Sequence, residues 1–250
     1  MQKTKSTHSS IASFKFFISS ATASVLLLIG LAVSPLSAEA TAHNDTATRG
    51  TATSQAAHSA VQPTAISALS KLKVRGLSSH DGYARSAFSD GWGDLGSCDL
   101  RNYILQRDLT NITWRSGETC IVASGTLKDP YTGKVINFVR GVSTSLAVQI
   151  DHVVALSNAW STGASTMSAS VRYKIYNDPL NLLAVDGPTN GQKSDSDASS
   201  WLPPNRAYRC AYVSRQIAVK SKYRLWVTGA EKTAMLGVLK SCPAFKIPAN

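Results

Sequence analysis

Two segments in the C-terminal half of the chain constrain its fold more than any other feature. A β-type run at 147–150 ends in Asp151 and His152, and a second apolar run at 181–185 leads through a Gly-Pro turn to the polar stretch 189–200. This pattern predicts two short strands, then a turn and a short helix. Such a unit would gather an adjacent acid and imidazole with the polar side chains that follow the second strand.

The residue types in this unit suit hydrolysis of a phosphodiester bond. That reaction needs a base for water, a cation to stabilise the developing charge, and groups that hold the phosphate. His152 at a strand end can act as the base, whereas Asp151 points to the opposite side of an ideal strand and can ligate a metal only where the chain turns. Asn190 can supply a second oxygen ligand, and Lys193, one helical turn further on, can contact a phosphate. Asn181 suits hydrogen bonding to backbone across the loop, which would fix the base.

The ligand types predict the metal. Carboxylate and amide oxygens with several waters suit Mg²⁺, with Mn²⁺ the next choice. After residue 63 the sequence contains two histidines, His80 and His152, which excludes a catalytic zinc site of three histidines. One divalent cation, most simply Mg²⁺, is therefore expected at Asp151 and Asn190.

The same residues resemble a known family. The order Asp-His, Asn-Leu and Asn-x-x-Lys is similar to that of HNH endonucleases, the His-Me finger or ββα-metal superfamily. The run at 148–202 more closely resembles secreted actinobacterial HNH proteins with the domain of unknown function 1524, and weaker similarity extends over about 83–242. The resemblance implies a ββα-metal core, with His152 as the general base and Asn181 as the central structural asparagine. It also implies metal ligation by Asp151 and by Asn190, which stands where many members have histidine.

Several of these residues also have simpler interpretations. His152 can be a hydrogen-bonded residue at a strand end, and Asn190 a helix N-cap. Lys193 can be an ordinary solvated lysine, and Arg140 can hold a phosphate or brace a hairpin. Two further acids, Asp195 and Asp197, are expected to be polar residues of an exposed helix rather than metal ligands.

The rest of the chain predicts an α+β domain that is rich in helix, with one small antiparallel sheet. A hairpin is expected over 120–139, around the Pro/Gly turn 129–133. Apolar periodicity and capping residues predict helices at 65–72, 99–109, 156–176 with a break near Gly163, 205–222 and 228–240.

The N-terminus reads as an export signal. A basic start, an apolar run and a small-residue site at Ala38-Glu39-Ala40 predict a secretory signal peptide over 1–40, although an uncleaved membrane anchor is the alternative. Residues 41–63 contain few large apolar side chains and are predicted to be a flexible leader. One domain is expected over 64–250, with its motif core at about 146–202. The mature protein is thus expected to be extracellular, without stable membrane association.

All four cysteines lie in the predicted domain: Cys98, Cys120, Cys210 and Cys242. An even number of cysteines in an exported chain indicates two disulfides, for which three pairings are possible. The simplest pairing joins neighbours, Cys98 to Cys120 and Cys210 to Cys242, because each bond would then close a local unit.

The positive net charge of the chain is compatible with a polyanionic partner but does not require one. The formal net charge is +11 at pH 7, and such an excess favours binding to nucleic acid, but also to an anionic cell surface. Together with the motif, it predicts a secreted endonuclease of low sequence specificity that acts on DNA, and the sequence leaves RNA open as a further substrate. The alternative is a non-catalytic exported module that binds nucleic acid or cell-wall polymer.

Overall fold

The computed structural model describes residues 62–249. The predicted signal peptide, and the leader up to residue 61, lie outside the described residues. The described part is an α+β domain in which the helices are Ala65–Lys71 (α1), Leu100–Asp108 (α2), Leu156–Ser161 (α3), Ala169–Tyr176 (α4), Gly187–Lys193 (α5), Arg209–Tyr223 (α6) and Gly229–Leu239 (α7). Short 3-10 turns occur at Arg85–Ala87, Thr144–Ala147, Ala164–Thr166 and Arg206–Tyr208. None of the helices in 62–249 is both long and apolar enough to span a bilayer.

The strands form three separate antiparallel sheets, where the sequence predicted one. The strands are Asp94–Leu95 (β1), Cys98–Asp99 (β2), Leu109–Trp114 (β3), Val122–Lys128 (β4), Val135–Val139 (β5), Val148–His152 (β6) and Leu182–Asp186 (β7). They are ordered β1-β2, β3-β4-β5 and β6-β7. The predicted hairpin is present as β4-β5, but β3 joins its other edge and was not predicted. The single-sheet expectation was wrong because β6 and β7 pair only with each other.

Local sequence signals place several helix starts correctly. The Asp99 carboxylate accepts a hydrogen bond from the backbone N–H of Asn102 at 2.7 Å, which caps α2. Thr228 and Glu231 form a reciprocal capping box at the start of α7. The predicted helical segment 156–176 is divided into α3, a 3-10 turn and α4, and the division falls at Gly163, whose φ is +131°.

The disulfides join Cys98 to Cys120 and Cys210 to Cys242, the neighbour pairing that the sequence favoured. The first bond links the strand before α2 to the segment that enters β4. The second ties the beginning of α6 to the turn after α7, across the interface where these helices pack together. Each bridge therefore closes one local unit.

A buried ion pair also links α6 to α7. The Lys220 amine lies 2.8 Å from the Glu231 carboxylate, and both side chains are almost completely enclosed. The amine donates further hydrogen bonds to the Asn158 side chain and to the Trp226 carbonyl. Burial lowers the pKa of Lys220 and raises the pKa of Glu231, and each charge partly offsets the effect on the other.

The motif segments form a ββα unit. Strand β6 pairs with β7 so that Asp151 faces Leu183 and His152 faces Leu182 across the ladder. Helix α5 follows β7 directly and packs on both strands. Asp186 caps this helix by accepting from the backbone N–H of Thr189 at 2.8 Å, so the predicted turn at 186–188 is already the first turn of α5.

Candidate active site

Asn181 fixes the chain that follows His152. Its side-chain oxygen accepts from the backbone N–H of Val154 at 2.8 Å, and its amide group donates to the Val154 carbonyl at 3.2 Å. The same amide lies 3.4 Å from the Ile175 carbonyl, and the residue is fully buried. This geometry is the cross-loop role that the sequence suggested for Asn181.

His152 is held in one tautomer by a backbone carbonyl. Its Nε2 lies 2.9 Å from the oxygen of Tyr176, and because a carbonyl can only accept, Nε2 carries the proton in the neutral ring. Nδ1 is then the nitrogen that can accept a proton. The ring stacks nearly parallel on Trp92, with 5.8 Å between centroids. Burial and the positive charge of Arg85 lower the pKa of His152 to about 3.

Asp151 is anchored on both carboxylate oxygens. Oδ1 lies 2.9 Å from the Lys193 amine, and Oδ2 accepts from the Tyr131 hydroxyl at 2.5 Å. The Lys193 amine also donates to the His152 carbonyl at 3.0 Å. Because Lys193 has no exposed surface, its amine does not reach a phosphate in this structure. Lys193 lies beside Asp151. This position differs from both interpretations of the sequence, in which Lys193 contacts a phosphate or is a solvated surface lysine.

Asn190 faces the same region from α5. Its side-chain amide donates to the Gln149 oxygen at 2.9 Å, and within residues 62–249 no donor contacts the Asn190 side-chain oxygen, which can act as an acceptor or ligand. Because Asp186 is the N-cap of α5, the alternative interpretation of Asn190 as that cap is wrong.

Arg140 lies outside this group and braces the hairpin. Its guanidinium donates to the Val122 carbonyl and to the Asn102 side-chain oxygen, each at 2.6 Å. These bonds tie the end of β5 to β4 and α2. In the structure Arg140 therefore braces the hairpin, the second of its two interpretations from sequence. The geometry does not support the predicted phosphate contact.

A cavity of about 330 Å³ joins the motif residues. Its walls bring together Asp151, His152 and Asn190 with residues that are distant in sequence, namely Tyr83, Arg85, Gln149, Ile150, Ala155, Leu156, Ser157, Ser194 and Asp195. Asp195 lies beyond the end of α5 and accepts from the Ser157 hydroxyl at 3.3 Å, rather than projecting from an exposed helix as the sequence suggested.

The sequence did not indicate the aromatic and cationic residues around the motif. Tyr131, in the predicted hairpin turn, reaches Asp151, and Trp92, from the segment just before β1, stacks on His152. Arg85 places its guanidinium 5.0 Å from the centre of the Tyr176 ring. The one available signal was the weak family similarity that begins near Tyr83, and it did not single out any of these side chains.

The donors at this cavity fit a hydrated hard cation better than a tightly caged metal. Within 62–249 no group of three or more histidine, cysteine or acidic side chains is arranged to hold a metal ion. One carboxylate, at Asp151, and one amide oxygen, at Asn190, are the motif donors that line the cavity. Mg²⁺ commonly keeps several waters and takes one or two carboxylates plus substrate phosphate, which this donor set matches.

Comparison with known families agrees with the motif. Residues 99–238 match the model of the family described as "GmrSD restriction endonucleases, C-terminal domain". The chain belongs to this family. A secreted protein of Arthroderma benhamiae, described as uncharacterized, is 40% identical over 181 residues, which cover 72% of this chain and 85% of that protein. No solved structure matches the chain significantly.

The family match contains the motif but not the whole cavity. Asp151, His152, Asn181 and Asn190 fall inside residues 99–238, and so do both members of the Asp151–Lys193 pair. Tyr83 and Arg85, which line the cavity, come from the segment before Asp99. This chain therefore completes the cavity with residues outside the matched domain.

Proposed function

We propose that this protein is a secreted, metal-dependent endonuclease that hydrolyses phosphodiester bonds of DNA, with RNA as a second substrate class and low sequence specificity. The observation that carries the proposal is the orientation of His152. Its Nε2 donates to the Tyr176 carbonyl, while the ring lines a cavity that also contains Asp151 and Asn190. Family membership supports the nuclease class.

The step begins with His152 as general base. Nδ1 takes a proton from a water molecule as the water oxygen forms a bond to phosphorus, and the bond from phosphorus to the leaving ester oxygen breaks. The leaving oxygen takes a proton from solvent, so one water is consumed for each bond cleaved. Because the pKa of His152 is lowered to about 3, the imidazole is neutral at physiological pH, which is the protonation state that a general base requires.

Asp151 and Asn190 would hold the divalent cation. A bound Mg²⁺ or Mn²⁺ supplies positive charge that stabilises the phosphate and the leaving oxygen. Tyr131 and Lys193 keep the Asp151 carboxylate in place, and the Gln149 bond orients the Asn190 amide so that its oxygen is free. This arrangement gives each motif residue a different task.

Export and a nucleic-acid substrate are supported by separate features. The Arthroderma benhamiae relative is named a secreted protein, and two disulfides are typical of chains that fold outside the cytoplasm. The net charge of +11 favours association with a polyanion such as DNA.

A plasmid-nicking assay with the purified protein tests the proposal. Wild-type protein should nick supercoiled plasmid with Mg²⁺ or Mn²⁺ and lose this activity in EDTA. His152→Ala should lower the cleavage rate by ~10²–10⁴, the usual cost of losing a general base. His80→Ala is the matched control, because His80 is exposed and is the other histidine of the described region.

Two results would reject the proposal. The first is a His152→Ala rate above about a tenth of wild type, since general-base loss costs more than this. The second is DNA binding by the wild-type protein without cleavage in any divalent metal, which would favour the non-catalytic binding module.

A further inference from the structure

The cavity beside His152 contains a cation that the motif does not include. Among the residues that line it, Arg85 is the one lysine or arginine. Its side chain is exposed, unlike that of Lys193, which is enclosed behind Asp151. The two residues predicted to bind phosphate, Lys193 and Arg140, are both committed to protein partners. Of these three basic residues, Arg85 is therefore the one placed to contact a phosphate in the cavity.

Arg85 is positioned by the residue that also positions the base. Its guanidinium lies over the Tyr176 ring at 5.0 Å from the centroid, and one terminal nitrogen donates to the Tyr176 hydroxyl at 3.2 Å. The backbone carbonyl of Tyr176 accepts from His152 Nε2. The side chain of Tyr176 thus positions Arg85, and its backbone carbonyl positions His152, beside the same cavity.

Within residues 62–249 most of the hydrogen-bonding capacity of Arg85 is unused. A guanidinium has five N–H donors, and the bond to Tyr176 uses one of them. Two of the others can bind two phosphate oxygens in a fork, a geometry that lysine cannot reproduce. Stacking on an aromatic ring also restricts the side chain, so less freedom is lost when the phosphate binds.

We propose that Arg85 binds the scissile phosphate at its two non-bridging oxygens. This role rests on the proposed nuclease function and extends it to a residue outside the family match at 99–238. As the water oxygen bonds to phosphorus and the ester oxygen departs, negative charge grows on the oxygens that Arg85 contacts. The guanidinium stabilises this charge without exchanging a proton, and the proton of the water still passes to His152 Nδ1.

The test compares Arg85→Ala and Arg85→Lys with the wild-type protein. Removing one preorganised charge-stabilising donor costs ~10²–10³ in kcat, and Arg85→Ala should fall in that range. Arg85→Lys should recover part of the loss, because it restores the charge but not the fork. Added guanidinium chloride, at concentrations that leave the protein folded, should raise the rate of Arg85→Ala and leave that of wild type unchanged.

Arg75→Ala provides the matched control. Arg75 is also exposed and also lies over an aromatic ring, at 5.5 Å from the centroid of Trp226, but it does not line the cavity. It should cleave like wild type. Thermal unfolding midpoints of all three variants separate a catalytic loss from a loss of folded protein.

The outcomes distinguish this proposal from the nuclease proposal itself. A wild-type rate that depends on His152, together with an Arg85→Ala kcat within threefold of wild type, would overturn the role of Arg85 and leave the nuclease intact. A rise in KM alone would overturn charge stabilisation by Arg85 in the transition state while retaining its binding to the phosphate. Failure of guanidinium to rescue a folded Arg85→Ala protein would overturn the role of Arg85 altogether. If the wild-type protein cleaves nothing, the affinities of wild type and Arg85→Ala for a DNA duplex are compared. Equal affinities would exclude phosphate binding by Arg85.

Discussion

Two buried lysines in this domain each pair with a carboxylate, and their surroundings differ. Lys193 meets Asp151 at 2.9 Å and Lys220 meets Glu231 at 2.8 Å, and neither lysine has exposed surface. The Lys220 amine also donates hydrogen bonds to Asn158 and Trp226, so the Lys220–Glu231 pair is enclosed by protein. Asp151, in contrast, lines the cavity that also contains His152.

The comparison separates a pair that supports the fold from a pair that supports chemistry. Both pairs make burial of the charge tolerable, because a buried ion without a partner costs several kcal/mol. Only a carboxylate that also borders a cavity can act on a ligand. We therefore expect loss of the Lys220 pair to weaken the fold alone, and loss of Asp151 to weaken catalysis as well.

The largest expected effect is on stability, at the enclosed pair. Glu231→Gln leaves the Lys220 ammonium buried without a counter-charge, so the free energy of unfolding should fall by about 3–5 kcal/mol. Urea denaturation measures this change. The double variant Lys220→Met/Glu231→Leu should recover most of the loss, because it leaves no charge to desolvate. A cleavage rate per folded molecule that falls along with stability would break the comparison.

The next effect is on cleavage, at the pair beside the cavity. Asp151→Asn removes the anionic ligand, and single-turnover cleavage should slow by ~10²–10³, the cost typical of losing one preorganised electrostatic group. Because Lys193 would also lose its counter-charge, the rate is normalised to folded protein measured by circular dichroism. Asp151→Asn/Lys193→Met removes both charges and should stay inactive while regaining stability. Wild-type cleavage by either variant would show that Asp151 has only a structural role.

A third expected effect is a pH dependence of stability that comes from His152 in metal-free protein. The folded pKa of His152 is about 3, and the unfolded value is ~6.5. Between these values the unfolded chain binds a proton that the folded protein does not. His152 therefore makes the free energy of unfolding fall as pH drops from about 6.5 towards 3, by up to ~1.4 kcal/mol per pH unit.

Urea denaturation in EDTA at several pH values checks this slope. His152→Gln should remove it, whereas His80→Gln, at an exposed position, should retain it. An equal slope in both variants would show that other groups dominate the acid sensitivity and that His152 is accessible to protons in the folded state.

Much of the fold could be predicted because it depends on near neighbours in sequence. Apolar alternation, turn residues and capping pairs act over a few positions, so the hairpin β4-β5 and the capping box of α7 were predictable. Strand β3 was not predicted, because its polar and aromatic residues lack a clear alternation and its conformation is stabilised by pairing with β4.

The sequence by itself predicted the motif, in which Asp151 and His152 end one strand, Asn181 begins the next, and Asn190 lies on the following helix. For the disulfides the sequence favoured the neighbour pairing among three possible ones, and the structure contains that pairing. Only the tertiary structure decided that Lys193 is enclosed behind Asp151 and that Arg85 reaches the cavity from far earlier in the chain. The physical reason is that burial and solvent access depend on contacts between distant segments, which local pattern does not encode.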